Sequence, residues 1–296
     1  MHIHKSRFLL RGEVWFDHEP DQTPVDWIVY RQRSRPVRGA KWTFYHTIVV
    51  DLRQSAEVLL HQLSNHTASK IRRARDRDRI VCEGFRLVSR EMLDCFEETY
   101  KRFAAFKALP PLDRPFLDQL ARDGSLEISV AKNPVGKALV YHTYYHDSNR
   151  SCLLHSVSLY QTLSDSAARN AMGRANRYLI WCGILRHQEK GLKFFDLGGW
   201  YPGNTNQELL DINRFKEGFG GKIVRECNCE QILSLKGRVV LTIAAWLERA
   251  KGLSARWRRD QRLPKPESPA LDARAPSPKS PAEFEAPALR EPELSR

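Results

Sequence analysis

Apolar residues at Met92, Leu93, Phe96, Tyr100, Phe103 and Ala104 recur every three or four positions. That spacing predicts an amphipathic helix over residues 90–107. Downstream of it the period shortens. Runs at 126–131, 137–145 and 152–159 read as strands, separated by the turn signals Asn133-Pro134-Val135-Gly136 and Asp147-Ser148-Asn149-Arg150. They predict a three-stranded antiparallel meander. Upstream, short strands are expected at 7–10, 27–30, 44–50 and 80–85, with helices at 56–63 and 116–121. After the meander come a helix at 175–186, a buried strand at 192–197 and a helix at 209–219. Strands at 222–227 and 231–235 and a basic amphipathic helix at 237–257 follow. Mixed strands and helices around an antiparallel centre make this an α+β chain.

The last stretch changes character. Residues 263–296 hold 8 of the 16 prolines and one aromatic, Phe284, so they are expected to be a disordered tail. The expected organisation is an N-terminal strand extension at 1–40, a core domain at 41–235, a basic helix at 236–262 and the tail. The net charge is +13. That field favours anionic partners, whether nucleic acid, a phosphorylated substrate or an acidic membrane surface. No leader-like apolar segment opens the chain, and VVLTIAAWL at 239–247 is too short to span a bilayer. The expectation is a cytoplasmic protein, with Trp246 and Trp257 offering a peripheral foothold on the inner membrane. Six cysteines without a CxxC pair argue against a zinc site or a disulfide framework, and no metal is expected.

Chemistry concentrates at 194–221, FFDLGGWYPGNTNQELLDINRFKEGFGG. A strand ends in Asp196, the glycines Gly198 and Gly199 permit a tight turn before Trp200, and a polar loop leads to Arg214-Phe215-Lys216 and Gly218-Phe219-Gly220-Gly221. So many glycines together suit close backbone approach to a ligand or tight packing of a helix on a sheet. A second cluster, KIRRARDRDR at 70–79, supplies Lys70, Arg72 and Arg73 as an anion clamp or as a solvated face with internal Asp–Arg pairs. His46, His142 and His155 fall on expected strands.

Asp196-Leu197-Gly198-Gly199 followed by Arg214-Phe215-Lys216-Glu217-Gly218-Phe219-Gly220-Gly221 resembles the Fem-type branch of the GNAT acyltransferases. The basic segment Lys70-Ile71-Arg72-Arg73-Ala74 resembles the same branch's basic helix, and the likeness covers roughly residues 40–235. It implies a GNAT-like mixed, mostly antiparallel central sheet flanked by helices. It implies transfer of an acyl or aminoacyl group to an amine of a phosphorylated cell-envelope precursor or an amino sugar. The donor would be acyl-CoA or aminoacyl-tRNA. On that reading Lys216 stabilises the oxyanion or holds the donor, and Asp196 positions the acceptor amine. Arg214, Lys70, Arg72, Arg73, Gly198, Gly199 and Trp200 contact substrate. Arg169, Asn170, Gly173 and Arg174, just ahead of the helix at 175, hold the donor's phosphates. The strict GNAT acetyl-CoA loop, Q/R-x-x-G-x-G/A, is not present. Two other readings stand beside this one, a catalytically degenerate GNAT-fold scaffold and a basic nucleic-acid-binding module.

Overall fold

The computed structural model describes residues 1–6, 8–159 and 165–260, with side chains to residue 247. Met1–Ala245 forms one compact unit, and a second begins at Trp246. Ten strands make one sheet: β1 (His2–Ser6), β2 (Leu9–Trp15), β3 (Trp27–Arg33), β4 (Lys41–Asp51), β5 (Val81–Phe85), β6 (Leu126–Lys132), β7 (Ala138–His146), β8 (Arg150–Ser158), β9 (Phe194–Gly199) and β10 (Lys222–Ile232). Their order is β1-β2-β3-β10-β4-β9-β8-β7-β6-β5. Only β2/β3 and β8/β9 pair in parallel. The helices are α1 (Ala56–Gln62), α2 (Asn65–Asp76), α3 (Arg90–Lys107), α4 (Arg114–Arg122), α5 (Ser166–Glu189), α6 (Gln207–Glu217) and α7 (Leu235–Asp260).

Local chemistry sets the helix starts. Ser55, Ser64, Ser89, Asp113, Asp165 and Asn206 each accept an N–H of the first turn of the helix that follows, meeting donors otherwise left without a partner. The strand period then divides the core. Tyr144 and Tyr145 are neighbours on β7, yet they enter opposite hydrophobic clusters. Tyr144 joins Leu59, Ile71, Ile180 and Ile184 beneath α1, α2 and α5. Tyr145 joins Phe96, Tyr100, Leu117 and Leu120 beneath α3 and α4.

The expected meander is present as β6, β7 and β8. The sheet is α+β, mixed and mostly antiparallel, as the sequence resemblance implied. Other expectations need correction. The strand expected at 7–10 is replaced by β1 and β2, which pair with each other, and residue 7 lies outside the described residues. β1–β3 extend the central sheet, because β3 pairs with β10. The two strands expected at 222–227 and 231–235 are one continuous β10, with a register shift between Cys227 and Cys229 absorbing the irregularity. The helix expected at 175 begins at Ser166. Residues 261–262 of the expected helix segment and the tail at 263–296 lie outside the described residues.

Candidate functional site

The site grows from a mismatch between two parallel strands. β8 and β9 pair only over Arg150↔Phe194, Ser151↔Phe195 and Cys152↔Asp196. β8 then runs on to Ser158 and β9 to Gly199, with no further pairing between them. Two irregularities open this fork. On β8, Leu153 pairs with Tyr144 and His155 with Thr143, so Leu154 is an extra residue and forms a bulge. On β9, Asp196 pairs with Val49 and Gly199 with Thr47, so β9 spends three steps where β4 spends two. Gly198 absorbs the excess at φ +75°, and a Cβ there would lie 3.0 Å from the Leu153 carbonyl oxygen. The double glycine is a bulge-former that lets β9 leave β8.

A cleft of about 620 Å³ fills the fork. Its walls are Leu153, Leu154, Ser156 and Ser158 of β8, Leu197–Gly199 of β9, Asn176 and Ile180 of α5, Tyr45 of β4, and one face of α6 ending in Phe215 and Lys216. Phe103 and Lys107 of α3 close one side, and Lys107 Nζ donates to Glu208 of α6 at 2.5 Å.

Lys216 sits at the base of this cleft. Its Nζ donates to the Gly199 carbonyl oxygen, and the Gly198 Cβ position is 3.9 Å away. Burial pulls its pKa below the ordinary lysine value, while the charge of Asp196 works against that. The result is a cation aimed at the strand ends. The opposite wall is polar and fully connected. His142 Nε2 lies 2.7 Å from Asn176 Oδ1 and 3.2 Å from Ser156 Oγ, and its Nδ1 lies 2.9 Å from Tyr144 Oη. The imidazole is completely buried, and burial takes its pKa down to about 4, so it stays neutral at pH 7. Burial also raises the Tyr45 phenol well above its usual value.

Asp196 does not reach the cleft as a free carboxylate, which corrects its expected role at the acceptor. It is 0% exposed. Gln32 Nε2 and Arg150 Nη2 each donate to it at 2.6 Å, the Gly198 N–H donates at 2.7 Å, and Thr47 Oγ1 donates as well. With four donors around it, Asp196 ties β3, β4, β8 and the β9 bulge together. Arg150 extends this knot by donating Nη1 to Glu226 Oε1 at 2.6 Å, with its guanidinium carbon 4.5 Å from the Phe16 ring centre. Arg150→Met is expected to cost about 3–5 kcal/mol in a denaturant titration, because it leaves two buried carboxylates without their shared cation. A loss no larger than that of an exposed substitution would show that the knot is not what holds the fork.

The other expected site residues scatter. Gly198, Gly199 and Lys216 meet in the cleft. Trp200 is half-buried beside it as a staple, its N–H bonded to the His46 carbonyl at 2.7 Å and its indole N–H to Glu217 at 3.0 Å. Arg214 is exposed, pairs with Asp211 and does not line the cleft. Arg72 and Arg73 line a separate surface depression of about 300 Å³ with Arg77, and Lys70 is half-buried nearby on the same helix. Arg169, Asn170, Gly173 and Arg174 lie inside α5, because Asp165 caps the helix nine residues earlier than the periodicity implied. Asp165 also takes the Ala167 and Ala168 N–H groups at 3.0 Å each, placing a carboxylate where a donor phosphate was expected. Arg174 is 6% exposed and forks onto Asp78 at 2.5 and 3.0 Å. Of the strand histidines, His142 backs the cleft wall, His155 lines a neighbouring cavity, and the His46 ring lies 6.4 Å from that of Trp200.

Tyr45, Lys107, Ser156 and Asn176 are cleft residues that sequence reasoning missed. Strand alternation on β8 was the one signal available, since it puts Ser156 and Ser158 on the same face. Among the described residues no cluster of three or more His, Cys, Asp or Glu is arranged to hold a metal ion. No helix among them is long and apolar enough to cross a membrane.

No family model matches the chain, and no curated protein matches it by sequence. Solved structures do. The crystal structure of FemX superposes with a TM-score of 0.50 at 15% identity, over 67% of this chain and 63% of that one. The chain therefore spans less than two thirds of the FemX structure. L-PGS from Bacillus licheniformis gives a TM-score of 0.45 at 13% identity, over 73% and 71% of the two chains. A tandem GNAT protein from the clavulanic acid biosynthesis pathway gives 0.36 at 13%, over 69% and 63%. Strand order, the forked parallel pair and the FemX superposition agree that this chain shares the fold of the FemX structure.

Proposed function

We propose that the protein transfers an acyl or aminoacyl group to an amine, on a cell-envelope precursor or an amino sugar. The observation that carries this is Lys216 Nζ held against the Gly198–Gly199 backbone at the base of the β8/β9 fork. Acyl transfer passes through a tetrahedral intermediate whose oxygen carries negative charge. A fixed cation in a partly desolvated cleft stabilises that charge far better than water does. Beyond Cys152, β9 offers β8 no ladder partner, so β8 backbone amides in the fork are available to the same oxygen.

Two donors fit the cleft's chemistry, acyl-CoA and aminoacyl-tRNA. The Asp165 cap weighs against a pyrophosphate at the start of α5. The exposed Arg72, Arg73 and Arg77 of α2 and its C-cap favour a polyanion, which suits tRNA. α7 presents exposed Leu235, Val239 and Ile243 beside Lys236 and Arg238, which suits peripheral contact with an anionic membrane. Thermal melting at fixed salt with acetyl-CoA, and separately with charged tRNA, identifies the donor. A ligand at about 100 times its Kd stabilises the fold by roughly 2.7 kcal/mol, a clear rise in midpoint. We expect a rise with charged tRNA. A rise with acetyl-CoA alone reassigns the donor, and no rise with either counts against transfer at this cleft.

A further inference from the structure

A second cavity, of about 290 Å³, adjoins the fork. It shares Tyr45, Leu153 and Leu154 with the cleft, and its other walls come from β2, β3, the start of α4, Cys152 and His155 of β8 and Asn228 of β10. Gln32, on β3, is the unusual residue in it. It is 3% exposed and sits at φ +55°, a left-handed conformation that costs a side-chain-bearing residue about 1–3 kcal/mol.

The orientation of its amide follows from its partner. Nε2 donates to Asp196 Oδ2, and an ionised carboxylate can only accept. Gln32 Oε1 is then left buried without a hydrogen-bond partner among the described residues. Trp15 Nε1, on the same wall, is a buried donor in the same condition. Leaving such groups unmet is unfavourable, so strain and unmet polarity together mark a place where a ligand supplies the missing partner. The cavity's two cations are matched by two carboxylates, because Glu13 pairs with Arg11 and Arg31 and Asp113 pairs with Arg11 as well. No spare cation waits for a phosphate. His155 also lines the cavity, with Nδ1 2.7 Å from Thr143 Oγ1, and burial takes its pKa to about 4. A neutral imidazole there accommodates an N–H donor.

We propose that this cavity is the acceptor-amine subsite, in which Gln32 Oε1 accepts an N–H of a primary amine. The inference rests on the acyl-transfer reading. In the reaction the amine nitrogen forms the new bond to the acyl carbon, and the donor's C–S or C–O bond breaks. The amine's surplus proton leaves to solvent, and the leaving group departs with a proton in its turn.

The test compares benzylamine with ethylbenzene, which has nearly the same shape and no hydrogen-bond donor, by calorimetric titration of the full chain without any acyl donor. Benzylamine is expected to bind at least about tenfold more tightly, which corresponds to roughly 1.4 kcal/mol. Gln32→Met is expected to erase that preference. Equal affinities, no amine binding, or an unchanged preference in folded Gln32→Met would each overturn the assignment. Gln32 also supports Asp196, so the comparison of the two probes on the unaltered protein stands by itself if the variant does not fold. Amine preference without turnover from either donor would sink the transfer reading and keep the subsite. Turnover without amine preference would sink the subsite alone.

Discussion

Lys216→Met is expected to lower turnover by about 10²–10³-fold, with the fold intact. Methionine keeps most of the aliphatic stem and removes only the cation. The ammonium donates to the Gly199 carbonyl, and its burial is unfavourable to the charge, so folding gains little from it. What is lost is stabilisation of charge that develops only in the transition state. The measurement is kcat with whichever donor shifts the melt, alongside circular dichroism and a melting midpoint for the variant. A folded variant with near-normal turnover would remove Lys216 from the chemistry and leave the scaffold reading in front.

Acid unfolding is the second large effect. His142 and His187 are buried and His155 is half-buried, and desolvation takes each pKa from 6.5 to about 4. The groups around them do not reverse this. His142 faces Asn176, Ser156, Tyr144 and the Arg186 charge, and His155 faces Thr143 and the rings of Phe96 and Tyr100. His187 faces the Glu127 carboxylate, which raises its pKa, and the Lys190 and Arg186 charges, which lower it, but burial is the largest influence. Glu127 itself is held at about 2 by the charges of His187, Arg186 and Lys190, which outweigh its burial, so it stays ionised through the window.

The folded pKa of each histidine lies below its unfolded value, so the unfolded chain binds more protons between pH 4 and 6.5. Stability is then complete above about pH 6.5 and falls as the pH drops toward 4. Each histidine contributes a slope of up to about 1.4 kcal/mol per pH unit, and three together approach about 4. A domain with roughly 5–15 kcal/mol in hand exhausts much of it inside that window. The denaturant midpoint should therefore fall steeply from pH 6.5 to 5, and His142→Gln should flatten the fall. A midpoint independent of pH over that range would mean these imidazoles gain protons without loss of the fold.

Much of the architecture follows from period and punctuation. The change from a spacing of three or four at 90–107 to strand runs at 126–159 located α3 and β6–β8, because local burial needs suffice there. The glycine-rich stretch carried enough fixed spacing to point to the fold. The position of Lys216 in a cleft, though, depends on the β9 bulge and on Leu154 being unopposed on β8. Both arise from pairing between distant strands.

Charge was read correctly as present and incorrectly as placed. Asp196 was expected at the acceptor amine, but Gln32, Thr47, Arg150 and the Gly198 N–H close over it and occupy both carboxylate oxygens. Arg174 looked like an anion ligand, but Asp78 on the chain following α2 claims it. Whether an ionisable side chain meets solvent or another charge is decided by which segments fold beside it, and residues 46 to 164 positions away leave no local trace. Gln32 makes the same point. By itself the chain specifies strands, helix caps and a basic, glycine-marked segment. Only the tertiary structure decided that a glutamine on an N-terminal strand lies beside the fork with one polar atom unmet, because long-range strand pairing sets that environment.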